Sequence, residues 1–345
     1  MRIAICTILL TAATASAQQS VSCRTGTAQF QRGDFQAAQN SLWDCVLSGF
    51  GTSTDAYNLS LTYRELKNYD SGLARTNSAL QQLPDNIDLL FLGAFLRYRR
   101  AENKDSMLVL SRAYKIGPKD WRIHQLFALN YISFNMLEAA KLSLRQAIAF
   151  NPKNAELHYQ LARVYFTLGS YVDSIEASKE ALAIFPEYPE VYHNLALCYE
   201  GNGNVDLAVG NFEKAIALNR KYKRKDEWPL IDYANYQRMR GLPDASLPLL
   251  EEALAINSRS PKANFELGVL LRDLKRNQEA KKYLELAVSL DPCNARALFE
   301  LAILTRLVGD AERSVALLHR FKEVDAQAKK ENGAGRCQPA ESLSR

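Results

Sequence analysis

Pro84, Pro118, Pro152 and Pro186 stand 34 residues apart in succession, and the same step returns from Ser258 to Pro292. A fixed period of this length means one supersecondary unit used many times, each copy burying its apolar face only against its neighbours. It overrides the two or three globular domains that 345 residues would otherwise suggest. Apolar residues make up 47% of the chain and charged residues 23%, which is enough to build a folded core. A net charge of +5 is too small an excess to indicate a nucleic-acid partner.

From residue 53 the columns are explicit. Five units, 53–86, 87–120, 121–154, 155–188 and 189–222, run in register. Early in the unit an apolar residue precedes a small one, as in Leu59-Ser60, Phe127-Ala128, Leu161-Ala162 and Leu195-Ala196. An aromatic follows three residues later, at Tyr63, Tyr131, Tyr165 and Tyr199. A second small column runs through Gly72, Ser106, Ala140, Ser174 and Ala208, and a third through Ala79, Ala113, Ala147, Ala181 and Ala215. Small residues let two helices approach, large ones fill the hole opposite, and the proline stops the second helix. After residue 222 the register slips by four residues. Units 227–260, 261–294 and 295–328 then follow, the last with Phe321 where alanine is expected, as in a terminal unit on which nothing stacks.

These columns resemble the tetratricopeptide repeat, most closely over 155–189, 189–219 and 261–292. The resemblance implies an all-α fold, a right-handed superhelical solenoid of about eight or nine helix–turn–helix units. Its concave groove would be lined by the first helix of each pair. The expected organisation is a signal peptide at 1–17, a degenerate hairpin at 18–52, repeats at 53–222, further repeats at 223–328 and a flexible tail at 329–345. The signal peptide is read from Met1-Arg2, the apolar run Ile3–Ala13 and the small residues Ala15-Ser16-Ala17. The expected location is therefore the bacterial periplasm or cell envelope, with no transmembrane segment in the mature chain. Export permits disulfides. Cys23 and Cys45, 22 residues apart, suit a bridge within one hairpin, and Cys293 could tie down the tail through Cys337. Cys198 reads as a buried apolar residue.

No catalytic constellation is present in the sequence, and no cofactor or metal is expected. His124 and His158 share a column but lack a set of further ligands at metal spacing. Gly201-Asn202-Gly203 is a helix–helix turn without the strand that a phosphate loop requires.

In the geometry the resemblance implies, two adjacent positions of each first helix face the groove. The peptide-groove candidates at these positions are Tyr57, Asn58, Phe91, Tyr159, Gln160, His193, Asn194, Asp232, Glu266 and Glu300. Aromatics offer contact area at low entropic cost and amides bond a peptide backbone. The same aromatics equally suit packing between adjacent first helices. Arg238, Arg272 and Arg306 recur on the same helices and would pair with the acids or with a ligand. The lysine-containing clamp by which some family members hold a peptide carboxylate is absent. Arg220 to Lys225, five cations in six residues, is a solvated loop or an anionic-surface contact. The function implied is a non-catalytic scaffold binding protein or peptide partners; the alternative is an accessory subunit of envelope polysaccharide or pilus export machinery.

Overall fold

The structure, a computed structural model, describes residues 21–330. The expected signal peptide and Cys337 lie outside these residues. The described chain is helical throughout, with helix α1 over 21–31 followed by seventeen more. It divides into two compact units at Pro186 and Glu187.

The first unit holds five hairpins. They pair α1 with α2 (Phe35–Ser48), α3 (Ser53–Leu66) with α4 (Tyr69–Gln82), and α5 (Ile87–Arg99) with α6 (Asn103–Ile116). The remaining pairs are α7 (Trp121–Ser133) with α8 (Leu137–Phe150), and α9 (Ala155–Thr167) with α10 (Tyr171–Ile184). The second unit holds four: α11 (Pro189–Gly201) with α12 (Val205–Lys221), α13 (Trp228–Met239) with α14 (Pro243–Ile256), α15 (Pro261–Asp273) with α16 (Asn277–Leu290), and α17 (Ala295–Leu307) with α18 (Ala311–Lys330). From α3 onward each hairpin coincides with one 34-residue unit of the sequence.

Each element has a local cause. Thr52, Asn86, Asp120, Asn154, Ser260 and Asn294 precede first helices, and each side chain accepts a backbone N–H of the first turn. Tyr188 breaks this column, and Pro189 at the first helical position takes over, its fixed φ suiting the helix start. Every turn inside a hairpin from α3 onward uses one left-handed residue, Gly at Gly169, Gly203, Gly241 and Gly309, but Lys67, Ala101, Asn135 and Lys275 elsewhere.

The small columns meet across each hairpin. Ser106 donates to the Ala94 carbonyl at 2.9 Å, Ser174 to Ala162 at 2.7 Å, Ser246 to Ala234 at 2.7 Å and Ser314 to Ala302 at 2.8 Å. Helices this close leave no room between them, and serine at the contact adds a bond that alanine cannot. The register slip lengthens α12 to 17 residues, against 14 in α10 and α14. Phe321 is half-buried, its ring 5.4 Å from Phe299. Cys23 and Cys45 form a disulfide between α1 and α2. Cys198 is a buried thiol that accepts from Asn194, and Cys293 is disulfide-bonded.

Candidate functional site: the first-helix faces

In the first unit the row begins with packing. Arg122, 1% exposed, opens α7 and reaches three elements at once. It pairs with Asp88 of α5 at 2.7 Å and with Asp120 at 3.0 Å, and it donates to the Ser53 carbonyl of α3 at 3.0 Å. Its guanidinium lies over the Phe91 ring, 5.0 Å from the centroid. Burial pushes the Asp88 carboxyl up against the opposing pull of Arg122. Tyr57 packs with tilted rings against Trp121 and Phe91, and burial pushes its hydroxyl up to about 12. Gln125 donates to the Tyr57 hydroxyl and to Gln160, and Gln160 donates to Glu156. Three first helices, α3, α7 and α9, are thereby joined through a polar chain.

Of the candidates in this unit, Phe91 is buried, while Tyr57, Asn58, Tyr159 and Gln160 are half-buried. Tyr159 lies beneath Arg163, 5.8 Å from the guanidinium carbon. The column histidines lock turns: Nε2 of His124 donates to the Pro118 carbonyl at 2.8 Å and that of His158 to Pro152 at 2.9 Å. Asn264 makes the corresponding bond to Ser258 at 3.1 Å. A carbonyl only accepts, so the ring proton sits on Nε2. Neither the histidine column nor the cap column was recognised in the sequence as a turn device, although both recur at the repeat period.

In the second unit the row is ionic. His193 of α11 meets Asp232 of α13 at 2.9 Å. Glu200 sits near this pair; burial raises its carboxyl, Asp232 adds to the rise and His193 opposes it. Arg238 reaches Asp273 at 3.2 Å and Glu266 at 3.9 Å, and Lys262 pairs with Glu266 at 2.7 Å. Arg272 pairs with Glu300 and, at 2.9 Å, with Asp273. The arginine ladder thus links each first helix to the next. Arg306, on the last first helix, is exposed and has no carboxylate within 4.0 Å among the described residues. Asn194 and Glu266 are buried, at 5% and 1% exposure, so they support the row from inside.

The basic run is tied down. Arg220 donates to Glu252 at 2.8 Å, Lys221 pairs with Glu187 at 2.7 Å and Arg224 pairs with Glu190. Lys221 holds the Glu187 carboxyl below its ordinary value and Arg220 does the same for Glu252. These bonds span 32 to 34 residues and hold the end of α12 and the linker after it to the start of α11 in its own hairpin and to α14 of the next. One group, Cys23, Cys45 and Asp55, has the closeness of a metal site, but its sulfurs are joined and its carboxylate accepts from Thr27 and Thr52.

Family models described as tetratricopeptide or TPR repeats match residues 131–169, 155–188, 187–259 and 261–293. The chain is a tetratricopeptide repeat protein. No curated protein sequence matches it. Among solved structures, the repeat protein is similar to the APC/C hetero-tetramer Cut9-Hcn1, with a TM-score of 0.59 and 15% identity over 89% of this chain and 73% of that one. It is similar to a tetratricopeptide repeat protein from Parabacteroides merdae, with a TM-score of 0.55 and 15% identity over 83% and 98%. It is also similar to PilW, a type IV pilus biogenesis factor, with a TM-score of 0.51 and 19% identity over 63% and 95%. At these identities the likeness is one of fold. No helix among the described residues is long and apolar enough to cross a membrane.

Proposed function

We propose that this tetratricopeptide repeat protein is a non-catalytic scaffold that holds protein or peptide partners against its first-helix faces, in the periplasm or cell envelope. The observation that carries the reading is the arginine ladder: Arg238 and Arg272 each find acids on the next first helix, and Arg306 is left exposed where the ladder stops. An acidic segment of a partner would continue the same pairing. Tyr159 and Gln160, half-buried on α9, supply an aromatic and amide surface of the kind that takes a peptide backbone. The Cys23–Cys45 disulfide supports an oxidising compartment. A second reading, an accessory subunit of envelope polysaccharide or pilus export machinery, draws support from the fold-level likeness to PilW.

Affinity capture from the envelope fraction tests the scaffold. A partner held by the wild type should be lost with Arg306→Glu or with Tyr159→Ala and kept by Leu108→Ser, which alters an exposed second-helix residue. Loss in all three, or retention in all three, argues against first-helix binding. Fractionation and N-terminal sequencing test export: a chain beginning at Gln18 outside the cytoplasm is expected, and a cytosolic product retaining Met1 refutes it.

A further inference from the structure

Three consecutive second helices of the first unit, α6, α8 and α10, break the outward pattern of the repeat. From α4 onward the second and sixth residues of every second helix are exposed. The second is elsewhere polar, as at Asp70, Asp206 and Asp244, but in α10 it is Val172. The sixth is elsewhere small, charged or proline, as at Ala74, Gly210 and Lys282, but in α6 and α8 it is Leu108 and Leu142. Leu108, Leu142 and Val172 are 68%, 60% and 69% exposed. A lone exposed leucine means little, whereas large apolar residues on three successive helices make a patch.

Charge is distributed unevenly across these helices. α6 carries three cations, Lys104, Arg112 and Lys115, against one acid, Asp105. α10 carries three acids, Asp173, Glu176 and Glu180, against one cation, Lys179. The charges of α8 between them are spent within the unit: Lys141 pairs with Glu138, and Arg145 donates to the Tyr165 hydroxyl at 2.7 Å. Lys104 and Lys115 on one flank and Asp173 and Glu180 on the other are exposed and make no ion pair among the described residues. The patch is therefore cationic on one side, apolar and internally paired in the middle, and anionic on the other.

We propose that this face binds a second copy of the chain about a two-fold axis, with α8 at the axis and each α6 against the partner subunit's α10. A two-fold contact uses one patch twice, so the patch must complement itself. A half-turn about α8 does this, because it lays the cationic flank of each copy on the anionic flank of the other. The two Leu142 side chains meet near the axis, Leu108 faces the partner subunit's Val172, and Lys104 lies towards the partner subunit's Glu180. An anionic lipid surface would suit α6 alone and would be repelled by α10. Three 14-residue helices, each about 21 Å long and spaced about 10 Å apart, offer roughly 600 Å² per copy, the lower end for a specific interface. No first-helix candidate lies on this face, so it is independent of partner binding there.

Sedimentation velocity of the full chain over a concentration series tests this. The wild type should pass from monomer to dimer with a Kd of about 100 µM or tighter. Leu142→Glu, an exposed change that leaves melting unaltered, places two like charges at the axis and should weaken the dimer by about tenfold or more. Lys104→Glu and Glu180→Lys should each weaken it, and the double variant should restore it, because each change meets the other across the interface. A wild type that stays monomeric at ~300 µM overturns the proposal, as does a dimer indifferent to Leu142→Glu. Growth beyond the dimer with rising concentration indicates head-to-tail stacking and refutes the two-fold contact. A monomer that floats with phosphatidylglycerol vesicles, and loses this with Leu142→Glu, assigns the patch to lipid and refutes the second copy.

Discussion

The ring of Trp121 lies 5.0 Å from that of Tyr57, although their helices, α7 and α3, are separated in sequence by a whole hairpin. Phe91 of the intervening α5 lies 6.4 Å from Tyr57 and beneath Arg122. The first-helix face of the first unit is therefore filled at this end by its own side chains. The second unit uses polar and charged contacts for the same purpose: His193 with Asp232, Arg238 with Asp273 and Glu266, and Arg272 with Glu300 each join one first helix to the next. Surface available to a partner is what these contacts leave exposed.

Arg122 should be the most sensitive position of the first unit. Arg122→Ala leaves Asp88 and Asp120 without their shared cation in a buried site, and should cost about 3–5 kcal/mol in urea unfolding. Asp88→Asn should cost less, because burial already favours the neutral form of that carboxyl and Arg122 keeps Asp120. A loss below about 1 kcal/mol for Arg122→Ala would show that the cluster is not a buried one.

Ala101 occupies the left-handed turn position with φ 62°, where Gly169 has φ 75°. A Cβ in that region clashes with the following carbonyl, so Ala101→Gly should stabilise by about 1 kcal/mol. Gly169→Ala should lose a similar amount, and opposite shifts of the two melting temperatures are the readout.

Gly268 and Gly210 should respond to alanine in opposite directions. A Cβ on Gly268 would stand 2.7 Å from Leu284 Cγ, whereas one on Gly210 meets nothing within 4 Å. Gly268→Ala should cost about 1–3 kcal/mol by overpacking. Gly210→Ala should gain about 0.5–1 kcal/mol from reduced chain entropy in a helix interior. Guanidinium melts of the two variants decide it.

Cys45→Ser removes a bridge that closes a 22-residue span. Its loss should lower stability by about 3 kcal/mol on the loop-entropy argument, and a reducing agent should lower the wild-type melting temperature in the same direction. Insensitivity of the wild type to the reductant would contradict an oxidised pair.

The Tyr57 hydroxyl, pushed up to about 12 by burial, gives an alkaline dependence. Its folded pKa exceeds the unfolded value of 10.0, so the folded state binds the proton more tightly. The contribution is complete below pH 10 and is lost as pH rises towards 12. Partial contact of the side chain with solvent limits it to on the order of 1–2 kcal/mol. Tyr57→Phe should flatten this limb of the stability curve between pH 10 and 12 relative to wild type.

Cys23 with Cys45 was only one pairing that the cysteine spacing allowed, whereas the tetratricopeptide repeat and its all-α hairpins were legible in the sequence. Each depends on local chemistry repeated at one spacing: a cap, a left-handed turn residue, a small residue at a close contact. Those requirements act within one hairpin, so the chain carries them in order. Which row residues would be buried was not legible. Phe91, Asn194 and Glu266 occupy the same columns as half-exposed Tyr159 and Gln160. Their burial depends on how close neighbouring first helices lie and on what the side chains across the gap are. Only the tertiary structure brought Tyr57 to Trp121 and turned the run from Arg220 to Arg224 onto Glu187, Glu190 and Glu252. These contacts join residues from different helices, and their geometry is set by the angle and spacing at which hairpins stack, a property that no single 34-residue unit contains.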